Sequence, residues 1–152
     1  GAQKGCSLVK ININDKGVFL AGTHLDSKSN NSRSLQYQIT NDEILKPYIN
    51  DSIPLLIAGD FNTDFKSSQY DSMINTFKVK NFELNDDRPY TFDEFNTWNA
   101  KGYKAWIDFI FFQENKNIKV FNQYILRPVM KFKNRKMDLA DHYQIVIEAV
   151  IY

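Results

Sequence analysis

The chain has 152 residues, the length of one domain, with a formal net charge of +1 and 43% hydrophobic residues. That balance supplies a core and excludes the global positive field that gathers nucleic acid. A single cysteine, Cys6, excludes an internal disulfide, and no apolar run approaches the roughly 18 residues of a membrane-spanning helix.

The chain starts Gly-Ala-Gln rather than with Met, so Gly1 reads either as a cloning remnant or as the start of a processed piece. Cys6 to Ile13 alternates in polarity, Asn14-Asp15-Lys16-Gly17 is a turn cluster, and Val18 to Thr23 returns, which predicts a β-hairpin with Cys6 as core filler. Ser34 to Asn50 carries Leu35, Ile39, Leu45, Tyr48 and Ile49 at near-helical spacing, with Pro47 placed to kink or close the last turn. Ile53 to Ala58 is an apolar run typical of a buried strand. Gln69 to Phe77 predicts a short helix with Tyr70, Met73, Ile74 and Phe77 on one face. Four further strands are predicted at Tyr90–Phe92, Ala105–Phe112, Ile118–Leu126 and Tyr143–Ile151. The order β-β-α-β-α-β-β-β-β implies an α/β fold with a mixed, mainly antiparallel sheet and helices on one face.

Four polar clusters fall at strand ends. Gly22-Thr23-His24-Leu25-Asp26 closes the second strand. Gly59-Asp60-Phe61-Asn62 closes the third, where an extended backbone would point Asp60 and Asn62 the same way. The alternative for that pair is a strand-to-turn cap. Asp108 lies inside the apolar stretch Trp106–Phe112, and a carboxylate buried there needs a partner. Asp141 and His142 precede the last strand. Pairing of Asp108 with His142 would satisfy the acid and fix the imidazole as a general base. Asp60 and Asp141 suit a hard divalent ion such as Mg²⁺, with Mn²⁺ or Ca²⁺ as alternatives. His24 and Asn62 suit the oxygens of a phosphate. Gly-x-Ser-x-Gly, Walker, His-Glu-x-x-His and Cys-x-x-Cys patterns are absent.

Thr-His-Leu at 23–25, Gly-Asp-Phe-Asn at 59–62, Ile-Asp-Phe-Ile at 107–110 and Asp-His-Tyr at 141–143 stand in the order found in the endonuclease/exonuclease/phosphatase superfamily, and the chain resembles its C-terminal half. The resemblance implies half of a four-layer, deoxyribonuclease-like α/β sandwich and metal-dependent phosphodiester hydrolysis. It implies His142 as the base, Asp108 as its orienting acid, and Asp60 and Asn62 at the scissile phosphate. It also implies His24 as a phosphate binder and Asp141 beside the metal. Ala140 replaces the family's usual serine. The family's N-terminal Asn and its metal-binding Glu have no counterpart, so 1–152 is expected to be one partial domain, inactive alone and needing the other half or self-association. Lys4-Gly5, Ser32-x-Ser-x-x-Gln36, Ser68–Met73, Tyr90–Asp93 with Asn96, and Leu126-x-Pro128 resemble neutral sphingomyelinases most. The membrane-entering aromatic hairpin of secreted sphingomyelinases would fall near 129–138, which here is short and lacks Trp.

Arg127, Lys131, Lys133, Arg135 and Lys136 either hold an anionic surface or form a solvated hairpin. Two Asn-x-Ser matches, at Asn30 and Asn50, read as chance. Three functions stay open: a sphingomyelinase-like phospholipid-headgroup phosphodiesterase, a deoxyribonuclease-like nuclease, and a binding module that has kept the fold without the chemistry.

Overall fold

The structure, a computed structural model, describes residues 4–99 and 102–152, so Gly1 and its reading lie outside the described residues. β1 (Gly5–Ile13) and β2 (Lys16–His24) form the expected antiparallel hairpin. Its turn holds Asn14 at φ 49° and Asp15 at φ 66°, the left-handed pair a type I′ turn requires and that Asn and Asp tolerate. β3 (Leu55–Asp60) runs parallel to β2, and β4 (Asp108–Phe112) antiparallel to β3, giving the order β1-β2-β3-β4.

Strand alternation sends Phe19, Ala21, Leu55, Ile57, Phe109 and Phe111 to one face of this mixed sheet. Helices α1 (Asn30–Ile39) and α2 (Ser68–Phe77) both pack there, through Tyr37 and through Tyr70, Met73 and Phe77. Phe61, just past β3, sits in the middle of this aromatic core, its ring 5.0 Å from Phe111 and 5.9 Å from Phe109. The opposite face carries the register row Val9, Leu20, Leu56 and Phe112. It is only partly covered: β8 (Gln144–Ile151) lies against β4, whereas Val9 remains 52% exposed. β8 pairs with β5 (Ile118–Leu126) as a second small sheet. β6 (Val129–Phe132) and β7 (Arg135–Asp138) form a separate hairpin turning at Lys133 and Asn134.

The structure departs from the sequence reading in four places. The first helix starts at Asn30, not near Ser34, because the Ser29 hydroxyl caps it by accepting the Ser32 N–H at 3.2 Å. It buries Arg33 and Tyr37 and leaves Leu35 and Ile39 exposed. Arg33 is accommodated because its guanidinium binds the Gln69 side chain and the Asp26 carbonyl, both at 2.9 Å. Beyond Ile39 the helix widens into a π-helical turn, Thr40–Leu45, and Pro47 sits in a closing 3₁₀ turn, Lys46–Tyr48. Tyr90–Phe92 is not a strand: Phe92 makes one isolated bridge to Ala105, and β4 begins three residues after that bridge, at Asp108. The strands predicted as one sheet divide into the four-stranded sheet and the β5–β8 pair, and the β6–β7 strands are not among those predicted.

Gly59 interrupts β3 at φ 147°, and a Cβ there would meet the Thr23 carbonyl oxygen at 1.9 Å. Neither the backbone conformation nor the space admits a side chain. Gly59→Ala is expected to cost about 2 kcal/mol or more of folding free energy. Urea denaturation checks this, and a loss below about 0.5 kcal/mol would contradict the clash.

Candidate functional site

His24 ends β2, Asp60 ends β3 and Asp108 begins β4. The register pairs His24 with Asp60 and Asp60 with Asp108, so the three form one row across the sheet rim. By alternation that row lies on the face away from the helices. His142, in the loop before β8, adds a fourth member through Nδ1, which is 2.9 Å from Asp108 Oδ2. At the other end His24 Nε2 lies 3.3 Å from Asp60 Oδ2, and the Lys4 ammonium meets the same nitrogen. The sequence of charges along the rim is therefore imidazole, carboxylate, carboxylate, imidazole.

The two central carboxylates shape the electrostatics. Burial raises the Asp60 pKa, and the facing Asp108 charge raises it further, against the Asn62 N–H, His142 and His24. Burial opposes a charged His142, but the Asp108 hydrogen bond and the charges of Asp108, Asp60 and Asp141 outweigh it and raise the imidazole above its ordinary 6.5. Single ligand atoms of Asp60, Asp108 and His142 lie within 4.8 Å of one another. A cation there would relieve the unfavourable pairing of Asp60 with Asp108, so the donor set fits a divalent ion through its carboxylate oxygens.

The remaining expected residues are placed differently. Asn62 adopts φ 49°, so Asp60 and Asn62 are not successive residues of one extended strand. Its N–H donates to Asp60 Oδ1 at 2.8 Å, and its side-chain amide donates to the Leu25 carbonyl at 2.9 Å, which ties β3 to the end of β2. Asp141 is exposed and lies outside the tight group, although its charge reaches His142. The sequence reading assigned no role to three neighbours of the site. Lys4 touches His24, the Phe92 ring packs 5.0 Å from the His142 ring, and Thr91 binds the start of β4. Lys4-Gly5 and Tyr90–Asp93 were visible as family-like motifs, but their contacts span distant segments. Near the β6–β7 hairpin an apolar groove of about 590 Å³ is lined by Trp98, Met130, Phe132, Met137, Lys133 and Arg135.

No family model matches the sequence, and no curated protein matches it. Solved structures do match. The beta toxin of Staphylococcus aureus, as an F277A, P278A mutant with bound magnesium ions, superposes with a TM-score of 0.76 at 20% identity, covering 98% of this chain and 58% of the toxin. Sphingomyelinase C from Streptomyces griseocarneus gives 0.70 at 18% identity, over 98% of this chain and 61% of that one. An endonuclease/exonuclease/phosphatase family protein from Bacteroides thetaiotaomicron gives 0.73 at 16% identity, over 97% and 56%. The chain thus has the α/β fold of these proteins and spans 56–61% of their length. At these identities the likeness is one of fold.

The raised His142 pKa has a sign that can be checked. Its stabilising contribution is complete below 6.5 and is lost as pH rises through the folded value. Asp60, also raised, loses its contribution as pH rises above 3.8 through its own folded value. In an NMR titration the His142 midpoint is expected above 6.5. Asp108→Asn is expected to lower that midpoint, because burial remains while the carboxylate charge is gone. An unchanged midpoint would contradict the pairing.

Proposed function

We propose that residues 1–152 form a partial domain carrying the base side of a metal-dependent phosphodiester hydrolase. The observation that supports this most is the Asp108–His142 hydrogen bond of 2.9 Å at the end of the row formed with Asp60 and His24. With Nδ1 held by Asp108, His142 presents Nε2 as the base. Nε2 takes a proton from water while the water oxygen bonds to phosphorus. The bond from phosphorus to the leaving oxygen breaks, and that oxygen is protonated from solvent. Asp108 fixes the tautomer and stabilises the imidazolium. Phe92 packs on the imidazole and limits its rotation. His24 holds a phosphate oxygen while Asn62 braces Asp60, and Asp60 with Asp108 would hold Mg²⁺, Mn²⁺ or Ca²⁺, Asp141 adding its charge from outside the group. A divalent cation bound there neutralises charge building on the phosphate.

For substrate we favour a phospholipid headgroup. The likeness to sphingomyelinase C supports that choice, as does the apolar groove beside the basic hairpin. Among the described residues no helix is long and apolar enough to cross a membrane. A nuclease is the second reading, supported by the likeness to an endonuclease/exonuclease/phosphatase family protein. The partial-domain reading is supported by the share of each neighbour that the chain spans and by the apolar row left open at Val9 and Leu20.

The test is to assay the intact protein against sphingomyelin, duplex DNA and inositol phosphates with Mg²⁺ and with a chelator. Sphingomyelin turnover that the chelator abolishes is expected. His142→Ala is expected to lower it by at least about 10²-fold. Near-normal turnover in that variant would remove His142 as the base. The 152-residue chain alone is expected to associate with itself and to turn over far below about 1 per second. A monomer in solution that works at ordinary enzyme rates would overturn the partial-domain reading.

A further inference from the structure

The two members of the dyad come from different segments, and each segment is held from the same short loop. Thr91 is fully buried, at 0% exposure. Its hydroxyl oxygen accepts the N–H groups of Ile107 and Asp108, both at 3.2 Å, which uses both lone pairs. Its carbonyl accepts the Tyr143 N–H at 2.7 Å, and its own N–H donates to the Ala105 carbonyl at 3.0 Å. One residue therefore bonds the backbone of the acid and the backbone next to the imidazole. The rest of the loop grips the His142 side. Asp93 accepts the Tyr143 hydroxyl at 3.1 Å, Asn96 donates to the Ala140 carbonyl at 2.9 Å, and the Trp98 indole donates to the Asp138 carbonyl at 2.8 Å.

We propose that Thr91 is a positioning residue that sets the Asp108–His142 distance, its hydroxyl locating Asp108 and its carbonyl locating His142. Its kinetic consequence rests on the hydrolase reading given above; its structural consequence does not. Val matches Thr in shape but cannot accept a hydrogen bond, so Thr91→Val strands two buried N–H groups at the start of β4. Ser keeps the acceptor. The backbone shift that follows in the Val variant lengthens the dyad bond, and small misplacements at a reacting centre are costly in rate.

The experiment compares wild type, Thr91→Val and Thr91→Ser in the intact protein. The spectroscopic readout is the downfield proton resonance of His142 Nδ1–H, which reports its bond to Asp108. The kinetic readout is kcat and KM on the hydrolysed substrate. Thr91→Val is expected to lose the resonance and at least about tenfold in kcat with KM little changed. Thr91→Ser is expected to restore both. Retention of the resonance by the Val variant, or failure of Ser to restore it, overturns the proposal. Should the Val variant fail to fold, amide exchange of Asp108 in the wild type decides: slow exchange supports the bond, and the rate of an open loop overturns it. If the wild type hydrolyses none of the substrates, the hydrolase reading fails while the resonance comparison still settles the role of Thr91.

Discussion

Antiparallel pairing of β3 with β4 sets Asp60 directly opposite Asp108, and like charges in that position repel. The register is not free to relax this. Alternation commits Ile57, Phe109 and Phe111 to the helix-covered core, so a one-residue slip of either strand would drive its acid beneath the helices. The charge conflict is thus imposed by the packing of the apolar face and answered at the rim, by His142 on Asp108 and by His24, which Lys4 contacts, beside Asp60. Gly59 belongs to the same arrangement. Without a Cβ it allows β3 to approach the Thr23 carbonyl closely, and so brings Asp60 alongside His24.

What the sequence makes legible follows from how local the cause is. The first hairpin, β3, α2, β5 and β8 are written in short-range periodicity and turn chemistry, and their predicted bounds agree with the structure to within about two residues. The first helix is not. Its buried positions include Thr40 and Arg33, the latter placed inward by distant partners such as Gln69, while Leu35 and Ile39 face outward. Hydrophobicity alone selects the wrong face there. Tyr90–Phe92 has strand-like residues, but the Thr91 hydroxyl and carbonyl serve two other segments instead of a ladder.

The site divides along the same line. An acid in an apolar strand demands a partner, and a histidine at a strand end is a natural one, so the Asp108–His142 bond could be anticipated. The left-handed backbone at Asn62 could not, since a residue three beyond a strand glycine gives no sign of its φ. Nor could the buried pair of Asp93 and Tyr143. That contact helps push the tyrosine hydroxyl, already desolvated by burial, up to about 12, so it stays a proton donor to the carboxylate at all ordinary pH.

The separation of the dyad partners along the chain bears on the order of assembly. The Asn14–Asp15 turn closes a hairpin whose contacts are local, and such structure forms in microseconds. The dyad instead joins residues 34 positions apart, and its Asp108 also depends on pairing with β3, encoded 48 residues earlier at Asp60. Closing loops of that length is entropically slow. The local hairpin is therefore entropically favoured to form before Asp60, Asp108 and His142 meet. During that interval the rim carboxylates remain hydrated and apart, and their mutual repulsion is felt only once the sheet is nearly complete.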